Sequence, residues 1–178
     1  MGSAIPWTAA GIQRKSNMTI LFVSVGTQAP FPRLIGYVSA MLASNPQLQA
    51  FAQVGPNGEV PFNAEGTQLI DERQFSSRIQ SATVFVTHAG MGNIIRALEL
   101  GVPAVVVPRK SQFGEHVNDH QVDTINEFSS LPGIFACDEQ KEFDHCMQLA
   151  LNQSRSPAAD ALTERKRLLD SVRFFLSQ

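Results

Sequence analysis

The stretch 83–108 constrains the fold most, because it predicts a complete strand–turn–helix–strand unit. Residues 83–87 are β-branched and aromatic, as in a buried strand, and a glycine turn follows at 88–92. Apolar residues then recur at helical spacing as far as Gly101, a position that suits a left-handed helix cap. Ala104–Val107 predicts the next buried strand. The unit should therefore be a βαβ crossover of right-handed connection.

The glycine turn of this unit has the properties of an anion site. We expect its helix to start at Asn93, so that the free N–H groups of the first turn face the same space as Gly90 and Gly92. A phosphate could approach the backbone closely there, aided by the helix dipole. Any tight strand-to-helix turn also favours such glycines, and His88 at a strand end is often a hydrogen-bonded structural residue. The pattern alone leaves both interpretations open.

Composition excludes several classes of function. The chain has 178 residues, 43% hydrophobic and 17% charged, which predicts an ordinary globular protein. A formal net charge of −2 gives no broad basic field, so we expect no nucleic-acid partner. Cys137 and Cys146 lack metal-ligand spacing and suit a reducing, cytoplasmic setting. No apolar run reaches the length of a membrane span, so membrane contact would have to use a surface or a partner.

The two ends of the chain differ from its middle. Residues 1–17 carry no periodic pattern and are expected to be a flexible leader. Residues 18–178 are expected to form a single domain. Its last element is predicted to be an amphipathic helix at 156–176, with a wide apolar stripe and several arginines. Such a stripe usually packs on its own domain; docking of a second protein or of an anionic membrane is the alternative.

The remaining elements predict an α/β fold with a doubly wound parallel sheet. Further strands are expected at 19–25, 50–54, 68–70 and 133–137, with amphipathic helices between strands. In open α/β sheets, ligands bind outside the carboxyl ends of the strands. The loop Gly26–Thr27 and the 88–92 turn should meet at that edge. A plain turn is the alternative for Gly26–Thr27, but two convergent small-residue loops favour a diphosphate more than either loop does alone.

The polar segment 109–121 follows the last strand of the central unit and belongs at the same edge. Its candidate functional side chains are Arg109, Glu115, His116, Asp119, His120 and Gln121. Three interpretations remain open: a metal site if His116 and His120 are helical, a solvated loop that caps the next helix, and a polar site for sugar hydroxyls. Arg109 could add positive charge against a phosphate, although such residues are usually only solvated.

Five motifs occur in a recognisable order and spacing. They are Val25-Gly26-Thr27, the 88–93 turn HAGMGN, the 97–103 stretch ALELGVP, Pro108-Arg109 and the 114–121 stretch GEHVNDHQ. Together they resemble the C-terminal, donor-binding domain of family 28 glycosyltransferases, over about residues 18–150. The likeness is greatest to single-domain members. These include the cytosolic subunit of a two-part enzyme that adds N-acetylglucosamine to dolichol-linked oligosaccharide, and bacterial exopolysaccharide counterparts.

The resemblance implies that residues 18–178 are a single nucleotide-sugar-binding domain, a Rossmann-like domain that is one half of a GT-B fold. It implies a hexosyltransferase that works as part of a two-subunit enzyme. That enzyme would transfer a hexose-type sugar from a UDP-sugar, with inversion, to a polyprenyl-diphosphate-linked saccharide in exopolysaccharide or cell-surface glycan synthesis. A membrane-associated acceptor-binding subunit would recruit the chain to the cytoplasmic face of the membrane. No metal or other cofactor is implied. The alternative is a non-catalytic subunit that binds nucleotide sugar or stabilises its partner.

The resemblance also implies roles for individual positions. The residues expected to bind the donor are Gly26, Thr27, His88, Gly90, Met91, Gly92, Asn93, Arg109, Asp119, His120 and Gln121. Glu115 or His116 is the expected catalytic base. One position departs from the family pattern: many relatives have a ribose-binding glutamate where this chain has Arg96, and Glu99 lies nearly a helical turn further along.

Overall fold

The computed structural model describes residues 19–154, which form a parallel six-stranded sheet with helices on both faces. Its strands are β1 Ile20–Ser24, β2 Gln49–Gln53, β3 Glu65–Thr67, β4 Val84–His88, β5 Ala104–Val107 and β6 Ile134–Ala136. Its α-helices are α1 Pro32–Ser44, α2 Glu72–Ser81, α3 Met91–Leu100, α4 His120–Phe128 and α5 Gln140–Asn152. The leader and the C-terminal helix predicted from sequence lie outside the described residues.

The central strands bury both of their faces. In β1, Leu21 and Val23 point into the apolar cluster formed with α1 and α5, whereas Phe22 points into the cluster formed with α2, α3 and α4. Phe22 stacks on Phe85 with a centroid separation of 5.3 Å and meets the edge of Phe75 at 5.4 Å. Such two-sided burial explains why these strands are apolar throughout rather than alternating. The predicted doubly wound α/β fold is confirmed.

The strand order β3-β2-β1-β4-β5-β6 creates a switch point between β1 and β4. From β1 the chain winds towards the β3 edge, and from β4 it winds towards the β6 edge. The loops that leave the carboxyl ends of β1 and β4 therefore diverge, and a crevice opens between them. This topology places the Gly26–Thr27 loop opposite the 88–92 turn, as the sequence predicted.

The third strand was predicted three residues too late. It lies at Glu65–Thr67 instead of 68–70, and all three of its residues are exposed. The strand pairs with β2 through its backbone, and Val54 N–H extends the ladder by donating to Thr67 O at 3.0 Å. An edge strand held in this way needs no apolar side chains, so its position leaves no hydrophobic signal.

The central βαβ unit follows the prediction closely. Helix α3 begins at Met91, two residues before the predicted start, because Gly90 O already accepts from the N–H groups of Asn93 and Ile94. Gly101 ends the helix in the left-handed region, with φ of 64°, as expected. Within residues 19–154, no helix has both the length and the apolar character needed to cross a membrane.

Candidate functional site

A cavity of about 390 Å³ lies at the switch point, outside the carboxyl ends of β1, β2 and β4. Its walls contain these residues predicted from sequence: Gly26, Thr27, His88, Gly90, Gly92, Asn93, Arg109, Glu115, His116 and Gln121. Met91, Asp119 and His120 are not part of the walls. The structure therefore brings together two loops and the 109–121 segment, which are far apart in the sequence.

The floor of the cavity is a chain of buried hydrogen bonds. Ser24 Oγ donates to Gln53 Oε1 at 2.9 Å, and Thr87 Oγ1 donates to Ser24 O at 2.8 Å. Asn93 Nδ2 donates to Thr87 Oγ1 at 2.7 Å. These bonds connect the ends of β2, β1 and β4 to the first turn of α3. Because the polar groups are satisfied, the floor is fixed before any ligand arrives.

His88 lies between the two glycine-containing loops. A Cβ atom placed on Gly26 would come within 2.9 Å of the His88 ring, and one on Gly90 would come within 2.3 Å of His88 Nε2. Burial, followed by the positive charge of Arg109, lowers the pKa of His88 to about 4. The imidazole is therefore neutral near pH 7. A hydrogen bond with the Ser24 backbone partly opposes this lowering of the pKa, and the neutral ring adds no positive charge to the cavity.

Gly90 and Gly92 are glycines for different reasons. Gly90 has ordinary dihedral angles, with φ of −78° and ψ of 126°, so it is required by the nearness of His88 and not by its backbone conformation. A Cβ atom on Gly92, in the first turn of α3, would meet nothing within 4 Å. Neither packing nor conformation requires glycine there. The open side of Gly92 belongs to the cavity wall.

The N-terminus of α3 is suited to an anion. No side chain of the described residues caps this helix, so its first amides are not satisfied by a capping group. Gly92 and Asn93 line the cavity at this helix end. Free amides and the positive end of the helix dipole together favour a phosphate or a similar anion at this place.

Arg109 holds the loop that follows β1. Its guanidinium is buried and donates to Val25 O at 2.8 Å, to Ala29 O at 2.8 Å and to Pro30 O at 2.7 Å. It also lies over the ring of Phe31, 4.5 Å from the centroid. These bonds use the donors that the sequence interpretation had directed at a phosphate. Arg109 therefore shapes the cavity wall and contributes its positive charge there.

Glu115 is held in a buried ion pair. Arg33 Nε donates to Oε1 at 2.8 Å, Arg33 Nη2 donates to Oε2 at 2.9 Å, and the Lys110 N–H donates to Oε2 at 3.0 Å. Only 7% of the Glu115 side chain is exposed. Both carboxylate oxygens are therefore occupied by protein donors, and neither is directed at a ligand in the cavity. The geometry of Glu115 suits it to holding the 109–121 segment in place.

His116 has the geometry that Glu115 lacks. Its half-buried imidazole lines the cavity, and its Nδ1 lies 3.1 Å from Asn118 Oδ1. The Asn118 backbone N–H faces the same Nδ1 at the longer distance of 3.4 Å. In the tautomer in which Nδ1–H donates to Asn118 Oδ1, Nε2 keeps the free lone pair that a base needs. His116 precedes α4, so it does not share a helix face with His120. Among residues 19–154, no group of three or more metal-ligating side chains is arranged to hold a metal ion.

The remaining polar residues of the segment divide into two groups. Asp119 accepts from the Ser111 N–H at 2.7 Å and from Ser111 Oγ at 2.9 Å, and these bonds lower the pKa of its carboxyl. His120 is exposed and lies against Asn118, so both predicted ligand contacts lie outside the cavity. Gln121 is buried in the cavity wall and accepts the Arg109 N–H through Oε1 at 3.0 Å. Its Nε2 is the group left to donate to a ligand.

One end of the cavity was missed by the sequence interpretation. Ile70, Glu72 and Phe75 line it, from the carboxyl end of β3 and the first turns of α2. They give this end a partly apolar wall with one acidic side chain. The rule that ligands bind outside strand ends would have found them if β3 had been placed correctly.

The motifs and the cavity agree with a comparison against known families. The family model described as "Glycosyltransferase family 28 C-terminal domain" matches residues 20–133. The chain belongs to this family. The match includes the glycine turn, the Gly26–Thr27 loop and the whole 109–121 segment.

Individual relatives support the single-domain type. The chain is 32% identical over 130 residues to the human protein "UDP-N-acetylglucosamine transferase subunit ALG13", which covers 67% of this chain and 11% of that relative. The chain therefore spans only about a ninth of the human relative's length. A solution structure of ALG13 superimposes with a TM-score of 0.58 and 18% identity, covering 85% of this chain and 94% of that structure.

Other solved structures that match are glycosyltransferases of the GT-B type, and the match covers less than half of each. MurG of Acinetobacter baumannii gives a TM-score of 0.57 at 19% identity, over 79% of this chain and 43% of that structure. The kitacinnamycin glycosyltransferase gives a TM-score of 0.57 at 21% identity, over 93% of this chain and 43% of that structure. At these identities the likeness shows the fold alone. The chain has the Rossmann-like fold of one GT-B half.

Proposed function

We propose that this chain is the donor-binding subunit of an inverting glycosyltransferase that uses a UDP-sugar. The observation that supports this proposal most is the open glycine at position 92. Folding does not require glycine at Gly92, yet it lines the cavity at an uncapped helix N-terminus. A bound diphosphate explains it, because the absent side chain leaves room for phosphate oxygens against the backbone amides.

In this proposal the donor lies in the cavity in one direction. The diphosphate lies against the first turn of α3, between the Gly26–Thr27 loop and the 90–92 turn, with the neutral ring of His88 beside it. The nucleoside extends towards Ile70 and Phe75, which offer an apolar wall to the base. As the bond to the sugar breaks, the helix N-terminus stabilises the negative charge that collects on the departing UDP.

His116 is the base in this proposal. Its Nε2 accepts the proton of the acceptor hydroxyl while that oxygen attacks the anomeric carbon from the face opposite UDP. The bond between the anomeric carbon and the UDP oxygen breaks, and UDP leaves with the electron pair. The ion pair of Glu115 with Arg33 fixes the neighbouring backbone, so that the imidazole is held at the cavity rim. No metal or cofactor enters this scheme.

The acceptor site belongs to a partner in this proposal. The chain matches 43% of each of the two GT-B structures above, so the facing half of those structures has no counterpart among the matched residues. Two large apolar side chains beside His116 support a docking partner: 57% of Phe113 and 92% of Val117 are exposed. We infer a membrane-associated subunit that binds a polyprenyl-diphosphate-linked saccharide, with this chain recruited to it from the cytoplasm. Exopolysaccharide or cell-surface glycan synthesis is the expected setting.

A non-catalytic subunit is the second candidate. The observation that favours it is that both carboxylate oxygens of Glu115 are bonded to Arg33 and to the Lys110 N–H. Of the two predicted bases, only His116 then remains. In that case the chain would hold the nucleotide sugar or stabilise its partner, and the partner would supply the base. The two candidates make different predictions for the same variant.

Calorimetric titration tests donor binding. We expect UDP-sugars to bind the purified chain and GDP- and dTDP-sugars to bind more weakly, and binding restricted to guanine nucleotides would overturn the proposed donor class. The assay for catalysis is UDP release with donor, lipid-linked acceptor and partner present. Replacing His116 with Gln should lower the transfer rate by roughly a hundredfold or more, with donor affinity preserved. Transfer at the wild-type rate would favour the non-catalytic subunit.

A further inference from the structure

Two carboxylates lie in the cavity wall, and their surroundings differ. Glu115 and Glu72 are the acidic residues among those described that line it. The carboxylate of Glu115 is enclosed by Arg33 and the Lys110 N–H, whereas 82% of the Glu72 side chain is exposed. Glu72 therefore carries the cavity carboxylate that is open to a ligand.

The open carboxylate is held from one side. Ser76 Oγ donates to Glu72 Oε1 at 3.1 Å, and Arg96 Nη2 lies 3.8 Å from the same oxygen. Arg96 Nη2 also donates to Ser76 Oγ at 2.6 Å, and Arg96 Nη1 donates to Glu99 Oε2 at 3.1 Å. Within residues 19–154, the hydrogen bond and the ion pair of the Glu72 carboxylate both involve Oε1. Oε2 is left for a ligand, and the hydrogen bond from Ser76 to Oε1 restricts the orientation of the side chain.

The position of Glu72 indicates what that ligand group is. Glu72 is the first residue of α2, between Ile70 and the first turn that carries Phe75. A base packed on Ile70 and Phe75 would place its attached sugar beside this carboxylate. A carboxylate is a strong acceptor for a pair of neighbouring hydroxyl groups, and acidic residues at strand ends bind ribose hydroxyls in other doubly wound folds.

We propose that Glu72, oriented by Ser76 and Arg96, accepts the hydrogen bonds of the ribose hydroxyls of the donor nucleotide. This inference rests on the proposed function and adds a specificity-determining residue to it. Arg96 then acts as a positioning residue, because its guanidinium faces Glu72 and Glu99 and does not line the cavity. The alternative is an ordinary surface ion pair, which would have little effect on stability or binding.

The test compares UDP with 2′,3′-dideoxyuridine diphosphate by calorimetry on the whole chain. The wild-type chain should bind UDP about tenfold more tightly, because a charge-assisted hydrogen bond contributes about that factor. Glu72→Gln should lower the affinity for UDP by about tenfold and leave that for the dideoxy compound unchanged. Since the side chain is exposed, the melting temperature of this variant should stay at the wild-type value.

Glu99→Gln is the matched control, because Glu99 bonds the same guanidinium but does not line the cavity. It should keep the wild-type preference for UDP. An unchanged preference in Glu72→Gln would overturn the inference, and so would an equal loss in both variants. Failure of the wild-type chain to bind either compound would overturn the proposed function itself. Tight UDP binding with no dependence on Glu72 would overturn the ribose contact alone.

Discussion

The glycine turn and the 109–121 segment both line the cavity, but they teach opposite lessons. In the turn, Gly92 is small where nothing in the fold demands it, and the proposed diphosphate contact would explain this. In the segment, the charged side chains of Arg109, Glu115 and Asp119 look reactive in the sequence but mostly bond to protein groups. An unexplained small residue thus indicates a site here more reliably than a cluster of charges.

The largest expected effect comes from breaking the ion pair that holds the segment. Arg33→Met should reduce the free energy of unfolding by about 3–5 kcal/mol, because it leaves Glu115 buried and charged without its partner. Chemical denaturation measures this loss. The double variant Arg33→Met, Glu115→Gln should recover most of it. Arg73→Met, which removes an exposed arginine, is the control. If it reduced the free energy of unfolding by as much, loss of the ion pair would not be the cause.

The two glycines of the turn should separate stability from binding. Gly90→Ala should destabilise the chain by about 1–3 kcal/mol, because its methyl group would collide with His88. Gly92→Ala should leave stability equal or raise it by up to about 1 kcal/mol, since alanine favours a helix. It should nevertheless weaken UDP binding by about tenfold or more, by occupying the phosphate position. Full binding by Gly92→Ala would contradict the comparison drawn above.

His88 predicts how stability responds to acid. Its pKa of about 4 in the folded chain lies below the ordinary value of 6.5, so the unfolded chain takes up a proton first. Stability should therefore fall as the pH drops from about 6.5 towards 4, by at most about 3 kcal/mol in total. Chemical denaturation at several pH values across this range should show that the free energy of unfolding depends less steeply on pH in His88→Gln. An equal dependence of the unfolding free energy on pH in both proteins would show that another group is responsible.

The smallest effect is expected at Asp119, in the same segment. Asp119→Asn should change UDP affinity by less than about twofold, because the side chain is directed to Ser111 and not to the cavity. Calorimetry with the titration used for Gly92→Ala measures the difference. A loss as large as that of Gly92→Ala would mean that the segment binds the donor directly, and it would remove the contrast between the two regions.

Local patterns were enough to predict the central unit and the edge of the sheet where the site lies. Apolar runs marked β1, β4 and β5, and the strand-end rule then brought the Gly26 loop to the 88–92 turn. The partners of charged groups could not be read in the same way. Arg33 and Glu115 are 82 positions apart, and their pairing is set by how α1 packs against the sheet. Ile70 and Glu72 were missed because exposed β3 leaves no apolar pattern.

The clamp by Arg109 has a practical consequence for anyone redesigning donor preference. Its guanidinium joins the loop after β1 to the residue that follows β5, although 79 to 84 positions separate them in the chain. The conformation of this loop therefore depends on a residue outside it, and the loop cannot be transferred to another protein by itself. A loop grafted from a relative would adopt the right conformation only if three of its carbonyl groups accepted hydrogen bonds from the Arg109 guanidinium at the same positions.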